Sequence, residues 1–208
     1  MPVNYDSIAN IYDLVSRIVY GRQIEAAQVC LMRLIPADSR ILIVGGGTGW
    51  ILEKIADAHP QGLTIDYVES SAKMIALSRK KNYRDNTVNF IHLPIEEWNS
   101  KERCDVIFTP FLFDNFKADK ALMIFTNLNS LLKSQGIWLY ADFVYDKIKS
   151  HWWQKLLLKI MYLFFRITTD IETQKLVRMD ACFDMSYQKE FEAFFYSGFI
   201  RSDAYRKK

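Results

Sequence analysis

Cysteine is scarce in this sequence, and its positions argue against a disulfide framework. The chain of 208 residues has 3 cysteines, Cys30, Cys104 and Cys182. They are odd in number, far apart in the chain and outside any Cys-x-x-Cys spacing, so they do not indicate a zinc site either. We expect ordinary buried thiols and no metal site.

A strong excess of charge is also missing. The net charge is +3 at pH 7, which is far from the concentrated positive charge that indicates a nucleic-acid partner. The first residues contain acidic side chains and no apolar core of a signal peptide, so we expect a cytoplasmic protein. Half of the residues are hydrophobic and 25% are charged, a composition typical of globular proteins, and we predict one domain over residues 1–208.

Glycine is sparse as well, with 8 residues in the chain, but four of them lie in one bend. Residues 41–55 read ILIVGGGTGWILEKI. An apolar strand, a glycine turn and a helix start direct free backbone N–H groups toward one point, where an anion can bind. The dinucleotide fingerprint fails because Trp50 occupies its last glycine position, and no Gly-Lys-Ser/Thr follows. The remaining Gly-x-Gly-x-Gly pattern suits a smaller group such as a carboxylate.

Short apolar runs alternate with amphipathic stretches after the first 40 residues, as in βαβ units with a parallel sheet. We predict strands at Arg40–Val44, Leu63–Val68, Val88–Leu93, Asp105–Thr109 and Ile137–Phe143. We predict helices at Trp50–Ala58, Ala72–Lys81, Asp119–Ser134 and Ser186–Tyr196. In the third helix we expect Leu122 on the buried face and Gly136 just beyond the end as a C′ glycine. After Phe199 the chain has room for one strand.

Glu69 ends the second predicted strand, about 20 residues after the glycine turn. In open α/β sheets a carboxylate at this place binds the ribose hydroxyls of an adenosine. We therefore interpret Glu69 as a marker of nucleoside binding. The alternative is a solvated residue that opens the helix near Ser70.

Four stretches, ILIVGGGTG, YVESSAKMIALSRKK, FIHLPIEEW and DVIFTPFLFDNF, resemble the successive motifs of class I S-adenosylmethionine-dependent methyltransferases. The stretch YDSIANIYDLVSRIVYG is similar to the N-terminal helix of ubiquinone and menaquinone biosynthesis methyltransferases. The resemblance implies an α/β, Rossmann-like, doubly wound and mostly parallel sheet. It also implies an N-terminal helical lid at residues 1–36, a cofactor-binding core at 37–146 and a C-terminal helical cap at 147–208.

The resemblance further implies S-adenosylmethionine as cofactor and gives each motif position a role. The glycine turn approaches the methionyl part, Glu69 holds the ribose, and the end of the third strand borders adenine. Two family side chains are replaced here, by Ile43 and Pro94, so we expect weaker cofactor binding. The expected cofactor-binding residues are Tyr12, Gly45, Gly46, Gly47, Gly49, Glu69, Ser70, Met74, Pro94, Ile95, Thr109 and Phe111.

The sequence assigns no catalytic residue, because methyl transfer from a sulfonium requires alignment and exclusion of water more than a base. Asp114, Asp142 and His151 are the titratable candidates near the strand ends. A solvated carboxylate at a helix start is the favoured interpretation of Asp114.

Several alternatives stay open for function and for the apolar segment 152–167. We expect methyl transfer to a small hydrophobic or aromatic acceptor. The rivals are an aminopropyltransferase, a nucleic-acid N-methyltransferase and a membrane-associated nucleoside-binding protein without catalysis. Segment 152–167 is interpreted as an acceptor-pocket wall, as a helix buried against the last helix or against a homodimer partner, or as a peripheral membrane contact.

Overall fold

The computed structural model describes residues 20–144, 151–158, 176–184 and 186–208. The strands are β1 (Arg40–Val44), β2 (Gln61–Glu69), β3 (Asp85–His92), β4 (Cys104–Pro110), β5 (Leu132–Phe143), β6 (Tyr187–Phe195) and β7 (Ile200–Lys207). The helices are α1 (Gln23–Met32), α2 (Trp50–Ala58), α3 (Ala72–Ser78), α4 (Ala118–Leu131), α5 (helical residues 152–158) and α6 (Asp180–Asp184). A 3-10 turn covers Phe113–Asn115.

The strands form one sheet in the order β3-β2-β1-β4-β5-β7-β6. Strands β1 to β5 run parallel, whereas β7 pairs antiparallel with both β5 and β6. This mostly parallel α/β sheet confirms the predicted fold class. The strand order reverses between β1 and β4, and open α/β sheets bind ligands beyond the carboxyl ends of the strands at such a point. The loops after β1, β2, β4 and β5 are therefore the place for a site.

The central strand β1 is apolar throughout because both of its faces are covered. Ile41 and Ile43 belong to an apolar layer with residues of α1 and α2. Leu42 and Val44 belong to the opposite layer, which includes residues of α4. A parallel strand covered on both sides needs a continuous apolar run, which is what the predicted strand contains.

Residues Ser186–Tyr196 do not form the predicted helix, and that prediction is wrong. They contain β6, which pairs with β7 in an antiparallel hairpin. Phe191, Ala193 and Phe195 are half-buried and alternate with exposed neighbours, which is the period of a strand with one covered face. Pairing with β7 decides the conformation of this short segment. The sheet therefore ends in a full hairpin instead of the single strand that we expected.

Two details of α4 also differ from expectation. Leu122 is 53% exposed, because its neighbour Ala121 and, further along, Ile124 and Phe125 occupy the buried face. The helix ends at Leu131, and Gln135, with φ 61, takes the left-handed conformation that we had assigned to Gly136. A Cβ at Gly136 would lie 2.7 Å from the Leu132 side chain, so this glycine permits close packing inside β5.

The N-terminal lid was predicted over residues 1–36, and residues 1–19, with Tyr12, lie outside the described residues. Helix α1 packs on the sheet, where the Ser202 hydroxyl donates a hydrogen bond of 2.6 Å to the Ala27 carbonyl oxygen. Leu31 and Met32 are buried. The described second half of the segment is thus a layer over the sheet, and a lid in the first half stays a prediction.

Segment 152–167 is described only through α5. Gln154 and Leu158 are buried on one side of this helix, and the Gln154 amide donates to the Ser197 carbonyl oxygen at 3.0 Å. On the other side Trp152 is 79% exposed and Leu156 is also exposed. In the described parts of the chain, every helix is too short or too polar to cross a bilayer.

Candidate functional site

The glycine turn lies at the carboxyl end of β1, directly before α2. The Gly45 N–H donates to the Val68 carbonyl oxygen at 2.9 Å and so ties the turn to β2. Gly45 and Gly47 have φ values of 72° and 64°, in the left-handed region that favours glycine. The turn thus leads directly into the N-terminus of α2, and an anion site there stays a prediction.

The four glycines of the turn serve two needs. A side chain at Gly46 would overlap the ring of Tyr67, and a Cβ at Gly49 would lie 2.5 Å from the Cβ of Ser78 in α3. At these two positions the absence of a side chain lets the turn pack closely against Tyr67 and Ser78. Among the described residues, the atom nearest to a Cβ at Gly47 would be the Met74 sulfur at 3.8 Å. Gly47 therefore leaves room for a ligand beside the backbone.

Glu69, at the end of β2, directs its carboxylate back to the glycine turn. The Gly47 N–H donates to Glu69 Oε2 at 3.1 Å, and the Ser71 N–H donates to Oε1 at 2.9 Å. Burial raises the pKa of this carboxyl, and the two N–H groups oppose the rise. Glu69 is 6% exposed, so the alternative interpretation as a solvated residue is wrong.

Tyr67 supports the same turn and was missed by sequence reasoning. It is fully buried, and its hydroxyl donates to the Gly47 carbonyl oxygen at 2.9 Å. The signal was available, because Tyr67 precedes Glu69 by two residues and side chains two apart in a strand share a face.

Ser70 and Met74 lie beside Glu69 and the turn. Helix α3 begins at a Ser71 cap, whose hydroxyl accepts the Met74 N–H at 3.1 Å. Met74 is buried there, next to Gly47. The Ser70 hydroxyl lies 3.5 Å from Glu69 Oε1.

Pro94 and Ile95 follow β3 at the same edge of the sheet. The Pro94 carbonyl oxygen accepts the N–H of Glu97 at 3.0 Å, which closes a tight turn. Ile95 is buried in an apolar cluster together with Val68 and Leu112. The structure thus brings Ile95 next to residues that flank the glycine turn.

Thr109 lies near the end of β4, and Phe111 is the first residue after it. Both residues make hydrogen bonds to other parts of the chain. The Thr109 hydroxyl is fully buried and accepts the indole N–H of Trp138 at 2.9 Å. Phe111, with φ 50, donates its N–H to the Ala141 carbonyl oxygen at 2.7 Å. The next residue, Leu112, has its Cδ1 3.4 Å from the Cβ position of Gly45. Leu112 is therefore the residue of this loop that touches the glycine turn, and sequence reasoning missed it.

Aromatic side chains gather where β5, α5 and the β6–β7 turn meet. Ring centroids lie 5.3 Å apart for Tyr20 and Phe143, 5.2 Å for Phe143 and Phe199, and 5.0 Å for Trp153 and Tyr196. We call this set the edge aromatic cluster; its members are Tyr20, Phe111, Phe143, Trp153, Tyr196 and Phe199.

Asp114 and Asp142 form a buried carboxyl pair after β4 and at the end of β5. They are 8% and 2% exposed, so the interpretation of Asp114 as a solvated helix-start residue is wrong. Asp142 accepts the Phe143 N–H at 2.8 Å and the Tyr140 hydroxyl at 3.3 Å. Burial raises the pKa of Asp142 to about 7. Burial, and then the charge of Asp142, raise the pKa of Asp114 well above its usual range.

Arg201 on β7 is a charged group that sequence reasoning missed, because the pairing of β7 with β5 and β6 was not predicted. Its guanidinium pairs with Asp180 at 2.6 Å and with Asp203 at 2.8 Å. It also lies over the ring of Tyr140, 6.0 Å from the centroid. Since two carboxylates already neutralise it, Arg201 is not available to bind an anionic ligand.

His151, the third titratable candidate, is exposed at the start of α5. Its backbone N–H donates to the Gln154 side chain at 2.8 Å, and its ring stacks on Trp153 at 6.1 Å. Within the described ranges, no three His, Cys, Asp or Glu side chains group in a way that would hold a metal ion.

The comparison with protein families matches residues 41–136 to the family model described as a methyltransferase domain. Among curated proteins, the malonyl-[acyl-carrier protein] O-methyltransferase 2 of Ilyobacter polytropus is 34% identical over 106 residues, which are 51% of this chain and 40% of the relative. The malonyl-[acyl-carrier protein] O-methyltransferase of Halalkalibacterium halodurans is 30% identical over 149 residues, which are 67% of this chain and 53% of the relative. The chain thus spans about half the length of these relatives.

Solved structures show the same fold at low identity. The magnesium protoporphyrin IX methyltransferase of Synechocystis PCC 6803, determined with bound S-adenosylhomocysteine, superposes with a TM-score of 0.65 at 14% identity. The match covers 92% of this chain and 85% of that one. At this level of sequence identity the likeness shows the fold, but it does not identify the methyl acceptor.

Proposed function

We propose that this chain, whose residues 41–136 match the methyltransferase domain family, is a class I S-adenosylmethionine-dependent methyltransferase that transfers the methyl group of that cofactor to a small hydrophobic or aromatic acceptor. The methyl group arrives already activated, because a sulfonium has a neutral thioether as leaving group. The residues of this chain must bind the donor, orient the acceptor and exclude water.

One observation carries the donor side of this proposal. The Glu69 carboxylate accepts a hydrogen bond from the Gly47 N–H, at a point where the described residues leave room for a ligand. The Glu69 carboxylate lies 3.1 Å from the Gly47 nitrogen. A ribose bound to Glu69 and a methionyl group against the turn would therefore be close enough to belong to one cofactor molecule. The room beside Gly47 is what a ligand pressed on the backbone requires. Met74 and Ile95 are proposed to contact the adenine from either side of this site.

The edge aromatic cluster supports the acceptor side of the proposal. Phe111 directly precedes Leu112, the residue that touches Gly45, and its ring lies 4.9 Å from that of Phe143. Aromatic rings at the carboxyl edge of the sheet suit a flat or apolar acceptor, which gains from stacking and from removal of its apolar surface from water. Trp153 would extend this wall toward α5.

Calorimetric titration with S-adenosylmethionine and with NAD tests the donor site. We expect binding of the first and none of the second. Gly47→Val should abolish binding while the protein stays folded, because its side chain enters the space of the ligand. Gly21→Val is the matched control, since Gly21 has a similar φ of 58° and no atom of the described residues would lie within 4 Å of its added Cβ. Binding of NAD alone, or unchanged affinity in Gly47→Val, would refute the site.

The curated relatives favour a second candidate acceptor, a malonyl group carried on a protein. Both relatives are named as O-methyltransferases of malonyl-[acyl-carrier protein], and they match this chain in the donor half. An acceptor of that kind presents a carboxylate oxygen, whereas a phenol or amine presents a neutral group with a proton to lose.

Methyl transfer from labelled S-adenosylmethionine distinguishes the two candidates. The chain would be incubated with malonyl-[acyl-carrier protein] in one reaction and with a metabolite extract free of protein in another. Label on a small extractable molecule supports the first candidate. Label on the carrier protein alone supports the second and would overturn our preference.

A further inference from the structure

The packing of the sheet does not require carboxyl groups at the two buried positions of Asp114 and Asp142. Asp114 and Asp142 lie among Phe113, Tyr140 and Phe143, and burying a carboxyl without full hydrogen bonding costs free energy. Apart from its own backbone N–H, the side-chain amide of Asn115, at 2.9 Å, is the hydrogen-bond donor that the described residues offer Asp114. A carboxyl this buried and this poorly bonded indicates a chemical role.

The pair lies next to the donor site in the sheet. Pro110 pairs in register with Ala141, and the Phe111 N–H continues this ladder to the Ala141 carbonyl oxygen. Asp142 is therefore the next residue on β5, at the carboxyl edge. Asp114 follows Leu112 by two residues, and Leu112 touches Gly45 of the glycine turn. The pair thus stands on the acceptor side of the point where β1 and β4 diverge.

The groups around Asp142 keep one proton in the pair near neutral pH. Asp142 accepts hydrogen bonds from the Phe143 N–H and the Tyr140 hydroxyl, and the charge of Arg201 lowers its pKa. Those groups favour the ionised form of Asp142, whereas Asp114 is held neutral by burial and by the charge of Asp142. Two close carboxyls do not ionise together readily, and the pair titrates as a unit.

We propose that Asp142, with Asp114 as its protonated partner, is the proton acceptor of the methyl transfer, so that the acceptor is a neutral hydroxyl or amine and not a preformed carboxylate. This inference rests on the proposed function and names its substrate class. A carboxylate such as a malonyl group would enter beside the negative charge of Asp142, with Arg201 already paired to Asp180 and Asp203.

The step balances in charge and atoms. A lone pair of the acceptor oxygen or nitrogen forms the bond to the methyl carbon, and the carbon–sulfur bond breaks with its electrons on sulfur, which leaves as a neutral thioether. The proton of the acceptor passes to the Asp142 carboxylate. One positive sulfonium and one negative carboxylate are neutralised together, which favours the step in a buried site. A proton acceptor whose pKa is near the working pH suits this role.

Carboxyl 13C NMR of aspartate-labelled protein tests the pair without any turnover. Asp142→Asn identifies the Asp142 signal by its loss. In the unchanged protein we expect this signal to titrate near 7. The Asp114 signal, identified by its loss in Asp114→Asn, should titrate at a lower pH in Asp142→Asn, because the charge of Asp142 raises the pKa of Asp114. Asp119→Asn, an exposed aspartate at the start of α4, should leave the titration unchanged. An Asp114 signal indifferent to Asp142→Asn would overturn the pair.

The same signal then reports on the acceptor class. In protein saturated with S-adenosylhomocysteine, phenol and catechol at millimolar concentration should shift the Asp142 signal, whereas malonate should not. A shift with malonate alone, or with none of the three, would overturn the inference. Saturation with S-adenosylhomocysteine is checked first by calorimetry. Failure to bind this compound would refute the proposed function itself. The titration of the free protein would still decide whether Asp114 and Asp142 form a pair.

Discussion

The carboxyl edge of the sheet is built differently on its two sides. On the donor side, after β1 and β2, the turn is shaped by glycine φ values and backbone hydrogen bonds, with Glu69 as the charged group. On the acceptor side, after β4 and β5, buried side chains dominate: aromatic rings and the pair of Asp114 and Asp142. In this proposal a common donor is met by backbone geometry, whereas the acceptor is met by side chains, which can differ freely within one fold.

The largest expected effect concerns the acceptor side and its dependence on pH. The pKa of Asp142 rises from 3.8 to about 7 on folding, so its contribution to stability is fully present below pH 3.8 and is lost as the pH rises through about 7. The difference corresponds to roughly 4 kcal/mol. Urea unfolding at pH values from about 4 to 8 measures it.

The variant Asp142→Asn cannot ionise at this position and should show a smaller decline, because Asp114 alone still titrates, while the exposed control Asp119→Asn should keep the full decline. If the free energy of unfolding of the unchanged protein and of Asp142→Asn changed with pH in parallel, the pKa of Asp142 would not be raised by folding. The contrast between the two sides of the sheet edge would then be smaller than we infer.

The next effect concerns packing on the donor side. Gly49→Ala should destabilise the protein by about 3 kcal/mol, because the new Cβ would meet Ser78 Cβ at 2.5 Å and Cα at 2.6 Å and such overpacking strains a backbone. Gly198→Ala has the same φ of 81° and no atom within 4 Å, so it should cost only about 1 kcal/mol of left-handed strain. Equal losses in urea unfolding would mean that the turn does not depend on this contact.

A smaller effect is expected for binding at Glu69. Glu69→Gln should weaken S-adenosylmethionine binding by about 2 kcal/mol, the scale of hydrogen bonds to a charged group. Glu97→Gln, which changes an exposed glutamate in the loop after β3, is the control. Calorimetry compares the two, and equal affinities would remove Glu69 from the donor site.

The smallest effect separates the two neighbouring tryptophans of α5. Trp153→Ala should lower stability by roughly 1–2 kcal/mol, less than for a fully buried ring, and should change acceptor turnover, since Trp153 packs on Tyr196 and Phe199. Trp152→Ala should change neither, because its ring is mostly exposed. Liposome co-sedimentation of both variants tests membrane contact: a loss of binding confined to Trp152→Ala would support a peripheral membrane role for α5.

The donor side could be predicted from the sequence because its signals are local. The run Ile41–Val44, the glycines after it and Glu69 are each tied to a strand end by spacing alone. The aspartates were visible as candidates, but their burial was not, since it depends on neighbours from distant parts of the chain, such as Arg201, which pairs in register with Asp142 from β7. The prediction for Ser186–Tyr196 failed for the same reason, because its pairing with β7 outweighed its local pattern.

The sequence by itself determined the order of strands and helices through the core, the glycine turn and the place of Glu69, because short-range periodicity and glycine spacing specify them. The tertiary structure decided which glycines serve packing and which leave room for a ligand, and it decided that Asp114 and Asp142 share a buried site. Those outcomes depend on the distance between atoms that are far apart in the chain, such as Gly49 and Ser78, and burial of charge is a property of the whole surrounding shell rather than of a motif.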